Sequence, residues 1–181
     1  MDIFAHSLWV VAGAKLARRH RIIVGRGTIV AGAVLAALPD VVHMVPVISW
    51  ALLGSGSIAD LRAYAVAVPG GEPAMPMMVE LLAHHLHCMM HSAIVAGAAT
   101  LLVLMVNRSV WFPLLAWWSH IVIDVFTHSD DYYPSPVLYP ITYSGFDGLA
   151  WNRPGFLAVN YTLLIAVYAW LYYASRRKER I

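Results

Sequence analysis

Residues 110–128 read VWFPLLAWWSHIVIDVFTH. The first ten positions carry one hydroxyl and no charge; the next nine carry two histidines and an aspartate. The stretch is close to the roughly 20 apolar residues that an α-helix needs to cross a bilayer. A strand of a membrane barrel would alternate apolar and polar positions over about 10 residues, and this run does not. It reads as a membrane helix that ends among ionisable side chains.

The rest of the chain follows the same pattern. Of its 181 residues, 60% are hydrophobic and 12% charged, against about 25% charged in ordinary soluble domains. The composition excludes a water-soluble globular domain and leaves no room for a second one. Five apolar segments are expected, at 3–17, 27–45, 78–106, 110–128 and 156–174. The fold class expected is therefore all-α, a polytopic membrane bundle of about five transmembrane helices over residues 1–181. Residues 46–77 mix the amphipathic IADLRAYAVAV with the breaker run PGGEPAMP and read as an interfacial or re-entrant insert. Residues 129–155 are rich in Asp, Tyr, Pro and Gly and read as a structured external cap. Pro39 is expected to bend or end the second segment.

Charge sets the sides. Lys15, Arg18, Arg19, Arg21, Arg26, Arg108, Arg176, Arg177, Lys178 and Arg180 make up ten of the 12 basic residues. Alternation of the segments puts all ten on one face, which the positive-inside rule makes cytoplasmic. The N-terminus is then external and residues 175–181 form a basic cytoplasmic tail. The clustering of basic residues at particular loops, more than the net charge of +2, sets orientation rather than suggesting nucleic-acid binding. Cys88 is the single cysteine, so no intrachain disulfide can form.

With these sides, the ionisable residues gather at one depth. Each helical residue turns about 100°, so positions i, i+4 and i+8 share a stripe. His120, Asp124 and His128 lie on such a stripe. Glu80, His84, His87 and His91 fall on another, with Cys88 off it. Asp40 and His43 stand at i, i+3, and His6 adds an imidazole from the first segment. Ionisable groups in membrane helices are costly, at about 2.5–3.5 kcal/mol per Asp, Lys or Arg on insertion scales. Several on matching faces point to a shared ion. The candidate ligands are His6, Asp40, His43, His84, His87, His91, His120, Asp124 and His128. Imidazole with carboxylate and no thiolate suits Zn²⁺, with Mn²⁺ or Fe²⁺ as alternatives, and the number of candidates allows one or two ions.

Glu80 or Asp40, if not ligated, is the candidate general base. Arg62 and Arg153 are the external cations available to a substrate phosphate. The site's depth predicts a lipid or lipid-linked ester or phosphodiester, cleaved by a metal-activated water. The alternatives are a divalent-metal transporter, or a metal- or haem-binding membrane protein without hydrolase activity.

FAHSL, the LPD of the second segment, HCMMHS, and HIVIDVFTH before a Pro- and Tyr-rich loop occur in that order. This arrangement resembles the YdjM-like inner-membrane proteins, described as membrane-bound metal-dependent hydrolases, from about His6 to Pro140. The resemblance implies a hydrolase of the bacterial or archaeal inner membrane and picks out His6, Asp40, His87, His91, His120, Asp124 and His128. Members often carry an Asp shortly after PD, where this chain has Val42 and His43. They often carry Arg where this chain has Cys88.

Overall fold

A computed structural model describes residues 1–22 and 24–178. The last three residues of the expected basic tail, Arg180 among them, lie outside the described residues. Among the described residues, seven α-helices follow one another: α1 (Ile3–Arg19), α2 (Arg26–Leu53), α3 (Ile58–Ala65), α4 (Met77–Met90), α5 (Ala93–Val106), α6 (Trp111–Thr127) and α7 (Pro154–Lys178). A short 3-10 turn, Arg108–Val110, leads into α6. The described residues contain no strand, only one isolated bridge between Ser129 and Tyr132.

The exterior is apolar and the interior partly polar, the reverse of a water-soluble bundle. Phe4, Val30, Leu101, Leu102, Met105, Ile165 and Tyr173 are exposed, whereas His6, His91, His120 and Asp124 are buried. An outward apolar surface of this extent suits lipid. α2, α7 and the Arg108–Thr127 stretch, in which the 3-10 turn extends α6, are long and apolar enough to span a membrane, and the α4–α5 pair makes a fourth if counted as one bent span. That gives three to four candidate spans where the sequence suggested about five. The difference lies in α1: its 17 residues reach only about 26 Å at 1.5 Å per residue, short of the roughly 30 Å hydrocarbon core.

α2 is the central helix and packs against α1, α4 and α6. Small residues let its neighbours approach closely. A Cβ at Gly32 would stand 2.7 Å from the Phe112 ring of α6, so glycine is what admits that ring. Pro39 does not end α2, and the helix runs unbroken past both Pro39 and Pro46 to Leu53. Its last turn therefore claims the start of the expected insert, and the short α3 follows behind a Ser57–Asp60 capping box.

The third expected segment is not one straight helix. α4 stops at His91, α5 starts after Ser92, and the two axes bend by 65°. Ser92 causes the restart, because its hydroxyl accepts the Ile94 and Val95 N–H groups as an N-cap. The groups freed at the break are taken up by the 129–155 loop. Ala93 N–H donates to Val137 O at 2.8 Å, and the Ser92 hydroxyl donates to Tyr139 O at 2.6 Å. Residues 129–153 form a cap without helix, and α7 takes Pro154 and Gly155. The cap also closes over the end of α6, where Gly148, Leu149 and Trp151 donate to the carbonyls of His128, Phe126 and Thr127 at 2.8, 3.0 and 2.9 Å.

Candidate metal centre

Four side chains from three helices meet beneath this cap: Asp40 of α2, His91 at the end of α4, and His120 and Asp124 of α6. One ligand atom from each lies within 4.8 Å of all the others. The closest pairs are tighter still. His91 Nε2 and His120 Nε2 are 3.0 Å apart. They stand 3.3 and 3.2 Å from Asp124 Oδ2, and 3.5 and 3.7 Å from Asp40 Oδ1. Nitrogen and oxygen ligands at 2.0–2.1 Å around a tetrahedral ion are about 3.3 Å apart. His128 Nε2 adds a third imidazole 3.5 Å from Asp124 Oδ2.

The other face of each ring explains why these nitrogens are lone-pair donors. His91 Nδ1 donates to His87 O at 2.8 Å, His120 Nδ1 to Ala36 O at 2.7 Å, and His128 Nδ1 to Tyr133 O at 2.6 Å. A carbonyl can only accept, so the proton sits on Nδ1. In a neutral ring Nε2 then carries a lone pair. This is the way ligating histidines are usually held: the outer N–H fixes tautomer and ring orientation. The partners of His91 and His128 are close in sequence, whereas that of His120 comes from another helix. His87 is one turn before His91. Ala36, which anchors His120, lies in the turn of α2 preceding Pro39.

Asp124 Oδ2 has three imidazole nitrogens within 3.5 Å and yet no hydrogen-bond partner. The groups are close but do not point at one another as donor and acceptor. Converging lone pairs beside an anionic oxygen repel each other unless a cation lies among them, and a buried polar atom left unsatisfied costs about 1–3 kcal/mol. A divalent ion answers both problems, so the donor set fits one.

Asp124 Oδ1 faces the other way. It is bonded by the Met1 amino nitrogen and by the Thr127 hydroxyl at 3.2 Å. His6 Nε2 is 3.0 Å from the same oxygen, out of line for a hydrogen bond, and neither His6 nitrogen has a hydrogen-bond partner. The His6 ring lies over His120 with centroids 3.9 Å apart.

The remaining expected residues are distributed unevenly. His43 and His87 lie beside the tight set with their rings 5.3 Å apart. His84 is exposed, stacks on Tyr143 and faces Cys88 Sγ at 3.6 Å, so it stands apart from the four, as Cys88 does. Glu80 is exposed in the first turn of α4. Arg62 is exposed on α3, and Arg153 is paired with Asp131 at 3.7 Å on the surface.

Three groups were not visible in the sequence: the Ala36 carbonyl, the Tyr133 carbonyl and Glu72. Tyr133 adopts φ +47°, and its hydroxyl donates to Glu72 at 2.6 Å. Burial, with Glu72 beside it, raises this hydroxyl well above the ordinary tyrosine value, so it remains a donor. The strap preceding α4 is thereby tied to the residue whose carbonyl orients His128. Tyr133→Phe is expected to lose about 1 kcal/mol, lowering the thermal midpoint in detergent by about 2–4 °C, while metal content stays unchanged because the carbonyl remains. An unchanged midpoint would show that the tie contributes nothing.

No known protein family, curated protein or solved structure gives a significant match to this chain.

Proposed function

We propose that this chain is a membrane-embedded, metal-dependent hydrolase that cleaves an ester or phosphodiester of a lipid or lipid-linked substrate. The observation that carries the reading is the convergence of Nε2 atoms from three carbonyl-anchored histidines on a carboxylate oxygen that has no hydrogen-bond partner. Purely structural imidazoles would be expected to pair off with that oxygen. The order of the FAHSL, LPD, HCMMHS and HIVIDVFTH motifs supports a YdjM-like relationship.

An ion held by Asp40, His91, His120 and Asp124 supplies Lewis acidity and lowers the pKa of a water toward about 7. We favour zinc for its preference for mixed imidazole and carboxylate ligands. The chain's own residues then have defined tasks. His91, His120 and His128 keep Nε2 deprotonated through their Nδ1–H bonds. Asp124 divides its oxygens, turning Oδ2 to the imidazoles and Oδ1 to the groups that hold it. Asp40 is a member of the ligand set and Glu80 stands exposed, so the proton acceptor we assign is His6. Neither His6 nitrogen has a hydrogen-bond partner, so the ring has a lone pair free to take the proton of the attacking water. The water oxygen bonds to the phosphorus or acyl carbon as the bond to the ester oxygen breaks, and that oxygen leaves with the proton His6 took from the water.

The outward apolar surface favours an amphiphile that reaches the site from the bilayer. The basic loops favour a cytoplasmic C-terminus, an external N-terminus and a site in the outer half of a bacterial or archaeal inner membrane. In this arrangement α1 is a fifth, shortened span.

The test is hydrolysis by detergent-purified protein of lipid phosphodiesters, phosphomonoesters and carboxyl esters, beside short-chain soluble analogues. Turnover of a lipid substrate is expected, abolished by a chelator and restored by Zn²⁺ or Mn²⁺. His6→Ala is expected to lower kcat by about 10²–10⁴-fold with the metal retained. Hydrolysis that is indifferent to chelation, or none on any substrate with metal bound, would refute the assignment.

A further inference from the structure

Beside the four-residue set is a second group of buried polar atoms with no partners. Both ring nitrogens of His43, Nε2 of His87 and Oδ2 of Asp40 lack any hydrogen-bond partner. Histidine in a packed interior normally satisfies at least one nitrogen. Here two rings on different helices leave three nitrogens bare, next to a carboxylate whose other oxygen is already turned toward His91 and His120.

The spacing along the helices is regular. α2 contributes Asp40 and His43 at i, i+3, and α4 contributes His87 and the adjoining His91 at i, i+4, so each pair lies one turn apart on one face. One member of each pair belongs to the tight set and the other lies just outside it. The ring geometry agrees. Two imidazoles bound to one ion at 2.0–2.1 Å with a tetrahedral angle place their centroids about 5.2 Å apart. The His43 and His87 centroids are 5.3 Å apart, and those of His91 and His120, inside the tight set, are 4.9 Å apart.

We infer that His43, His87 and Asp40 Oδ2 form a second divalent-cation position, joined to the first through the Asp40 carboxylate. The inference rests on the metal-centre reading above and extends it to a two-ion site. His43 and His87 lie outside the tight set, so this position is the looser of the two and binds the weaker ion. A bridging carboxylate suits two ions about 3.5–4 Å apart, a separation that clamps the attacking and leaving oxygens of a phosphoryl ester. The substrate class is thereby narrowed to phosphate esters, ahead of carboxyl esters.

The experiment starts from chelator-treated, detergent-purified full-length protein, loaded with Mn²⁺ and desalted. Metal per chain is counted by mass spectrometry, and the wild type is also read by electron paramagnetic resonance. About two ions per chain are expected, with a spin-coupled spectrum. The double variant His43→Ala/His87→Ala is expected to keep about one ion and to show an isolated six-line Mn²⁺ signal. If the double variant does not elute as a folded species, His43→Gln/His87→Gln replaces it, and the wild-type spectrum decides independently of either variant. One ion per chain with an uncoupled spectrum in the wild type would overturn the second position and leave the first standing. No bound ion at all would remove the first position as well.

Discussion

Asp124→Asn is expected to strip the protein of metal, taking bound ion from at least one per chain to below about 0.1, because the neutral amide cannot replace an ionised carboxylate ligand. The side chain keeps its shape, so the loss is chemical rather than steric. Asp124 is the hub of the centre. Its Oδ2 faces Nε2 of His91, His120 and His128 at 3.3, 3.2 and 3.5 Å, and its Oδ1 receives the Thr127 hydroxyl and the Met1 amino nitrogen. Without the ion, the anchored imidazoles present lone pairs to one another with nothing between them. Stability should fall accordingly. A ligand at a hundred times its dissociation constant stabilises the folded state by about 2.7 kcal/mol, and that increment disappears. The check is metal analysis together with thermal unfolding in detergent, with and without added Zn²⁺. Wild type should gain several degrees from the metal and Asp124→Asn none. Equal metal content in the two proteins would contradict the role given to Asp124.

Gly148→Ala is expected to have the second largest effect, although it touches no ligand. A Cβ at this position would stand 2.5 Å from Phe126 O, 2.6 Å from His128 O and 2.7 Å from Phe126 C. These are backbone atoms at the end of α6 and cannot rotate away as a side chain can. The Gly148 N–H also donates to His128 O at 2.8 Å, so displacing the loop breaks the contact that fixes His128. Overpacking of this kind costs about 3 kcal/mol or more when backbone has to move, a fall of roughly 6–12 °C in the thermal midpoint of a chain this long. Metal affinity should weaken about 10–100-fold, the usual consequence of disturbing the groups that orient a ligand. A chelator-competition titration and a melting curve measure the two effects. A variant that melts with wild type would show that the cap is not held against α6 as described.

The helices and most of the centre were legible in the sequence because both depend on local spacing. Apolar runs mark α2, α6 and α7, and the stripe of His120, Asp124 and His128 survives even though His128 leaves the helix as its C-cap. Where the reading differed, a nonlocal partner decides. Pro39 stays inside α2 because packing on three neighbours holds the helix together across the missing N–H. The break after His91 is hidden in a continuous apolar run. It becomes intelligible only when Ser92 is seen capping α5 and bonding Tyr139 O. His84 falls within the same arc as His87 and His91, yet it lies about two turns before His91 on α4 and is left exposed beside Tyr143. The backbone carbonyls of Ala36 and Tyr133, which fix two of the imidazoles, have no side-chain signature to read.

Imidazole nitrogens and carboxylate oxygens, and no sulfur, are expected to surround the bound divalent ion. Zinc K-edge X-ray absorption on detergent-purified protein carrying one equivalent of Zn²⁺ tests it directly. The expected result is a shell of nitrogen and oxygen at about 2.0–2.1 Å, with the multiple scattering of at least two imidazoles from His91 and His120. A sulfur shell near 2.3 Å, which would bring in Cys88, or a spectrum of fully hydrated Zn²⁺ would contradict it.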